Sequence, residues 1–163
     1  MLSNEMKNKL NEQAKKEMQA SNLYLSMAFW CLNNKFDGAG EFFIKQSEEE
    51  NEHAKKIMKY LSDKDAEVVI EALDKPESKF DGLLDVFKKA YNNEVFVTKC
   101  INELVDYALN TKDFTTLNFL QWYVEEQHEE ETLFKGIIDK IELIGNNSLY
   151  LADKYIKSLT QGE

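Results

Sequence analysis

Apolar positions recur at intervals of three and four along four long stretches of the chain, the spacing that turns one face of an α-helix toward a core. The first stretch carries Leu10, Ala14, Glu17, Ser21, Tyr24, Ala28 and Cys31, and the second Phe43, Ser47, Glu50, Ala54, Ile57 and Leu61. The third runs Leu83, Phe87, Ala90, Glu94, Val97, Ile101, Leu104 and Ala108. The fourth runs Leu120, Tyr123, Gln127, Glu130, Phe134, Ile137, Ile141 and Ile144. A shorter amphipathic segment of about three turns, with Leu149, Ala152, Tyr155, Ile156 and Leu159, follows Asn146 and Asn147. The pattern predicts an all-α protein.

The breaks between stripes set the topology. Asn33-Asn34 and the following Asp37-Gly38-Ala39-Gly40 predict a tight turn, on the ground that glycine tolerates positive φ. Asn110 to Asp113 predicts a second short turn, and Gly145 a helix C-cap. Between the two turns Ser62 to Lys79 has no helical period and holds Pro76, the one proline. It reads as a connection of about 17 residues, long for a compact domain. Extended, it reaches about 55 Å, against about 39 Å for a helix of about 26 residues, so it can return to the far end of the molecule. Helices two and three then run parallel. The architecture expected is one domain over residues 1–163, a four-helix bundle with one long crossover and a short fifth helix.

Each long stripe is broken near its middle by a coordinating side chain: Glu17, then Glu50 with His53 one turn on, then Glu94, then Gln127 with Glu130. In an antiparallel bundle mid-helix positions meet at one level. Four carboxylates in one core repel by several kcal/mol at short range, so a stable fold requires counter-charge. The inward stripes carry no lysine. Two divalent cations would balance four carboxylates, and Glu-x-x-His on bundle helices is a way of building a dinuclear carboxylate site. A donor set rich in oxygen with one imidazole favours iron or manganese, with zinc also able to occupy it.

Composition narrows the partners. The 163 residues hold 30 Asp and Glu against 20 basic residues, all lysine, for a formal charge of -10, which argues against nucleic acid and for cations. Cys31 and Cys100 stand alone in apolar surroundings, and no leader precedes the first helix, so a reduced, cytoplasmic protein is expected. No apolar run approaches the roughly 18 residues of a membrane span.

The runs Glu-Glu-Glu-Asn-Glu-His at 48–53 and Asn-Phe-Leu-Gln-Trp-Tyr-Val-Glu-Glu-Gln-His-Glu-Glu-Glu at 118–131, with the helix order and crossover, resemble the bacterial non-heme ferritins over the whole length. The resemblance implies iron storage: Fe(II) oxidised by O2 or peroxide at a dinuclear ferroxidase centre and kept as ferric mineral in a hollow cage of 24 subunits. It implies that Glu17, Glu50 and His53 hold one iron and that Glu50 bridges to a second held by Glu94 and Glu130, with Gln127 nearby offering only an amide carbonyl. A third, cavity-side iron site maps onto Glu49, Glu126 and Glu129, with Glu130 shared and Tyr24 adjacent. His128 is assigned to the surface or a subunit contact, and Met27 and Met58 to core filling. Heme is not expected, because position 52 is Glu52 and the fourth helix carries Gln127-x-x-Glu130 in place of a second Glu-x-x-His. Two alternatives stay open: a di-iron oxidase or peroxidase that keeps its metal permanently, and a non-catalytic helical interaction protein.

Overall fold

A computed structural model describes residues 1–161. Helix α1 spans Asn4–Asn33, α2 Asp37–Asp63, α3 Leu83–Asn110, α4 Phe114–Ile144 and α5 Leu149–Thr160, with a 3-10 turn at Asn146–Ser148 leading into α5. Helices α1 and α4 start where the backbone finds a side-chain acceptor. Ser3 Oγ accepts from Met6 N at 3.1 Å to open α1, and Asp113 Oδ1 accepts from Thr116 N at 3.1 Å to open α4. Gly145, at φ 80°, ends α4 as expected.

The α1–α2 turn departs from expectation in its mechanism. Lys35, not a glycine, takes the positive φ of 67°, and the glycines lie inside α2. Their role is close approach. A Cβ on Gly38 would stand 2.3 Å from the Asp153 carbonyl oxygen of α5, and one on Gly40 would stand 2.6 Å from Leu32 of α1. Phe36, the N-cap of α2, offers that helix no side-chain cap. Asp153 reaches across from α5 to do it, accepting from Gly38 N at 3.0 Å and Ala39 N at 2.7 Å.

The connection, residues 64–82, lies along α1. Asn11 pairs with the backbone of Glu67 and Val69 at 3.0 and 2.9 Å, Lys15 meets Glu71 at 2.6 Å, and Ser26 Oγ donates to the Glu77 carbonyl at 2.7 Å. It therefore starts near the N-terminal end of α1 and finishes near its C-terminal end, where Phe80 packs on Trp30. This brings the start of α3 to the end of the bundle where α2 began, so α2 and α3 run parallel, as the length of the link predicts.

The stripes bury as read except that Ser21 and Ile144 are half-buried, and they divide into two apolar clusters. One holds Met27, Phe43, Phe87 and Phe134 with the inner face of α5. The other holds Leu10, Ile57, Ile101 and Leu120. Between them, at mid-helix, lie Glu17, Glu50, His53, Glu94, Gln127 and Glu130, each at most 5% exposed. The apolar face of the short fifth helix is expected to have no place in the four-helix core, and here the structure differs. Ala152 and Ile156 are fully buried in the first cluster. The apolar surface left exposed lies elsewhere, as at Leu25 and Phe29 on α1 and Tyr150 and Leu151 on α5.

Asp153→Ala should lower stability by about 1 kcal/mol, the usual worth of a lost N-cap. Gly38→Ala should do more harm, because its Cβ meets backbone of α5. Thermal melts combined with limited proteolysis of α5 check both, and an unchanged melt for Gly38→Ala would contradict the close docking.

Candidate metal centre

Two helices of the layer supply the tightest cluster. Glu17 from α1 and Glu50 and His53 from α2 bring one donor atom each to within 4.8 Å of one another. His53 Nδ1 stands 3.3 Å from Glu50 Oε2 yet makes no hydrogen bond, and Glu17 Oε2, Glu50 Oε1 and Glu130 Oε2 are likewise buried without partners. Buried polar atoms are almost always paired, so a set of orphans gathered at one level asks for a guest. Gln46 Oε1, one turn before Glu50, is also buried without a partner, and the remaining four are three carboxylate oxygens and an imidazole nitrogen, hard and borderline donors suited to a first-row divalent cation.

The second half is more heavily braced. Tyr24, expected beside the cavity-side acids, meets the centre through Glu94, to which its hydroxyl donates. Gln127 is turned with its amide N–H toward the same residue, donating to Glu94 Oε2 at 3.0 Å, with Thr98 Oγ1 at 3.3 Å from the same nitrogen. In this arrangement the amide holds Glu94 in place, where a carbonyl contact to iron was expected. On the other side Tyr123 donates to the His53 carbonyl at 2.7 Å, and the Trp122 ring lies edge-on to His53 with centroids 5.2 Å apart.

Glu49, Glu126, Glu129 and Glu130 line one pocket of about 390 Å³ with Gln46, closed at one side by Leu159 and Thr160 of α5. Glu126 also approaches the centre itself, its Oε1 lying 3.7 Å from His53 Nε2. His128 is exposed, Met27 is buried, and Met58 is partly buried against the second cluster.

Sequence reasoning overlooked Gln13. It is 1% exposed, and its Nε2 donates to Glu17 Oε1 at 2.8 Å. The signal was its place one helical turn before Glu17, outside the apolar stripe. Thr98 and Gln46 were missed for the same reason, as polar residues on helices whose stripes were read for apolar character.

Burial dominates the electrostatics. Desolvation, then the Glu50 charge, holds the Glu17 carboxyl well above the usual range. Desolvation and then Glu94 do the same to Glu50. Glu94 is pushed up to about 7 by desolvation, against the lowering effect of its bonds from Tyr24 and Gln127. Glu130 rises to about 9 through desolvation and then Glu94. The metal-free layer is thus a store of protons, which a cation must displace.

The comparisons with known proteins agree with this geometry. A family model described as Ferritin-like domain matches residues 7–144. The chain belongs to the ferritin family. It is 56% identical over 161 residues to the bacterial non-heme ferritin of Campylobacter jejuni, covering 98% of this chain and 96% of that protein. The bacterial non-heme ferritin of Escherichia coli is 42% identical over 161 residues, covering 98% of each. Among solved structures, an open-pore ferritin from the archaeon Archaeoglobus fulgidus superposes with a TM-score of 0.94 at 39% identity, covering 96% of this chain and 98% of that one. Iron storage is the function this ferritin membership carries, and a Glu and His cluster able to hold metal lies in its core. No helix among the described residues is long and apolar enough to cross a membrane.

Metal loading should therefore release protons. Below about pH 7 both Glu94 and Glu130 hold protons that a cation expels, and the share of the release from these two should fall away as the pH rises through about 9. The sign for stability is opposite to that of an ordinary paired carboxylate. These raised groups bind protons in the fold that the unfolded chain loses above its ordinary glutamate value, so they erode metal-free stability as pH climbs from about 4.5 toward about 9. Zn(II) calorimetry in buffers of different ionisation enthalpy, with melts of the metal-free protein, measures both. Proton release that stays flat across this window would contradict the buried, protonated layer.

Proposed function

We propose that the protein is a ferroxidase that takes Fe(II) as its substrate at the mid-bundle layer and stores the ferric product as mineral inside a closed homo-oligomeric shell. One observation carries the reading: four carboxylates and one imidazole gathered between two apolar clusters, with orphaned donor atoms facing one another. Glu17, Glu50 and His53 would take the first Fe(II), Glu50 would reach toward the second, and Glu94 and Glu130 would take that second ion. The charge is suited to the task, since about four carboxylates balance two divalent ions and lose their protons as the ions enter. Each Fe(II) gives up one electron, and O2 accepts the pair together with two protons to become hydrogen peroxide, which can oxidise further Fe(II).

The oxidised ions carry more charge and prefer hard oxygen donors. The pocket formed by Glu49, Glu126, Glu129 and Glu130 provides such donors beside the second ion, and Glu130 belongs to both. In this reading the pocket is where ferric iron goes when it leaves the centre. The shell rests on kinship with the ferritins, 24 subunits being the family's assembly, and on apolar side chains that one subunit leaves uncovered, Leu25 at 42% and Phe29 at 55% exposed. A reducing, cytoplasmic setting suits two free, buried cysteines, of which Cys31 is pushed up to about 12 by burial.

Anaerobic titration should find two tight Fe(II) sites per subunit, with Glu94→Ala losing the second and His53→Ala the first. One weak site in the wild type would sink the dinuclear reading. Light scattering with size exclusion should give a mass far above two subunits across a wide concentration range, and a monomer or dimer throughout would refute the shell.

The pocket calls for a variant that spares Glu126, because that residue also touches His53. Replacing Glu49 and Glu129 together with Ala should leave the first oxidation burst nearly intact and alter how quickly the centre accepts more iron. Rapid mixing with successive additions of about two Fe(II) per subunit resolves the two effects. A lost first burst would move these acids into the primary site, and no change at all would leave them a solvated face.

A further inference from the structure

We infer that Gln13 is a positioning residue for the first iron, a neutral clamp that aims Glu17 without neutralising it. The inference rests on the reading of Glu17 as an iron ligand. Gln13 sits one turn before Glu17 on α1, both are at most 1% exposed, and Nε2 donates to Glu17 Oε1 at 2.8 Å. The other oxygen, Oε2, is left without a partner at the level where Glu50 and His53 converge. A glutamate has three side-chain torsions, and fixing one oxygen restricts the direction of the other. The fixed carboxylate then presents its free lone pairs to a cation with little left to order on binding.

The choice of donor matters. A lysine at this point would form a buried ion pair that an arriving Fe(II) must break, and it would cancel the charge that gives the site its affinity. An amide supplies the hydrogen bond and leaves the full negative charge available. The opposite half uses the same device, with the Gln127 amide on Glu94 Oε2 at 3.0 Å. Of the four carboxylates, Glu17 and Glu94 are thus each held through one oxygen by a glutamine.

Gln13 also lines a pocket of about 290 Å³ between α1 and α3, together with Glu12, Cys100 and Leu104. Truncating Gln13 would connect that pocket with the space beside Glu17. A small molecule can then take the place of the missing side chain, which gives a test a purely structural role would not pass.

The experiment is Co(II) titration of the intact, metal-free assembly, followed by visible absorption bands and with Glu17→Ala as the test of the underlying ligand assignment. Gln13→Met keeps the volume and removes the donor. It should weaken Co(II) at the half containing His53 by about tenfold to hundredfold, the usual effect of losing a group that orients a metal ligand, and shift its absorption bands, while the Glu94 half keeps its affinity. Asn8→Ala, on the wall of the same pocket, should bind as wild type does. Gln13→Ala should recover affinity when acetamide is added, and acetate, which has no donor and a like charge, should give no recovery. The clamp is overturned if Gln13→Met binds Co(II) like the wild type, if both halves weaken equally, or if acetate restores Gln13→Ala as well as acetamide does. Co(II) affinity in Glu17→Ala equal to that of the wild type would instead refute the ligand assignment itself.

Discussion

Four carboxylates share one level of a bundle interior from which lysine is missing, and the rest of the structure follows from how that repulsion is managed. Among the described residues the buried charged groups are Glu17, Glu50, Glu94 and Glu130, with His53, and no lysine is buried with them. Surface lysines are too far out to help, spending themselves on partners such as Glu52 and Asp63. Without metal the layer survives by holding protons, as the raised carboxyls of Glu94 and Glu130 show. Under the proposed function, bound cations would balance the same charge. The same desolvation that makes the empty layer unfavourable would then favour a cation, because a charge removed from water is offered a partner at short range.

A fold that tolerates such a layer needs apolar packing on both sides of it, and the two clusters provide this. In the aromatic one the Phe43 and Phe87 ring centroids lie 4.8 Å apart and Tyr24 is set against Phe43 at 5.7 Å. Tyr24 links packing to chemistry, since its ring belongs to the cluster and its hydroxyl to Glu94. The crossover contributes geometry rather than contacts with the layer. By returning along α1 it makes α2 and α3 parallel, and that orientation sets Glu50 and Glu94 close enough for each to raise the proton affinity of the layer.

The four stripes and the layer were legible in the sequence because burial imposes a period, and a carboxylate inside that period stands out. Parallel α2 and α3 were legible for a different reason, that the length of a link limits where it can go. Features that depend on contact between distant segments were not. Asp153 caps α2 from α5, and no local pattern around Phe36 announces a cap supplied more than a hundred residues away. The glycines of α2 read as turn residues because composition cannot distinguish a positive φ from a close approach, and it was Lys35 that took the positive φ. Gln127 was visible as an inward polar residue, but which end of its amide faces Glu94 is fixed by Thr98 and the Glu94 backbone on another helix.

The two halves of the layer are unlike in a way that gives the centre a direction. One half has the imidazole, backed by Glu126 at 3.7 Å and walled by Trp122. The other is all oxygen, and Glu130 faces both the centre and a pocket carrying Glu49 and Glu129. An imidazole nitrogen suits a divalent first-row ion better than a trivalent one, whereas carboxylates gain on hard ions as charge increases. Under the proposed function, oxidation would shift the balance away from His53 and toward the side where Glu130 leads into the pocket. The end of α5 closes that pocket through Leu159 and Thr160, and α5 is itself pinned by Asp153 to the start of α2, so under the same proposal the helix outside the bundle would shape the way out of its centre.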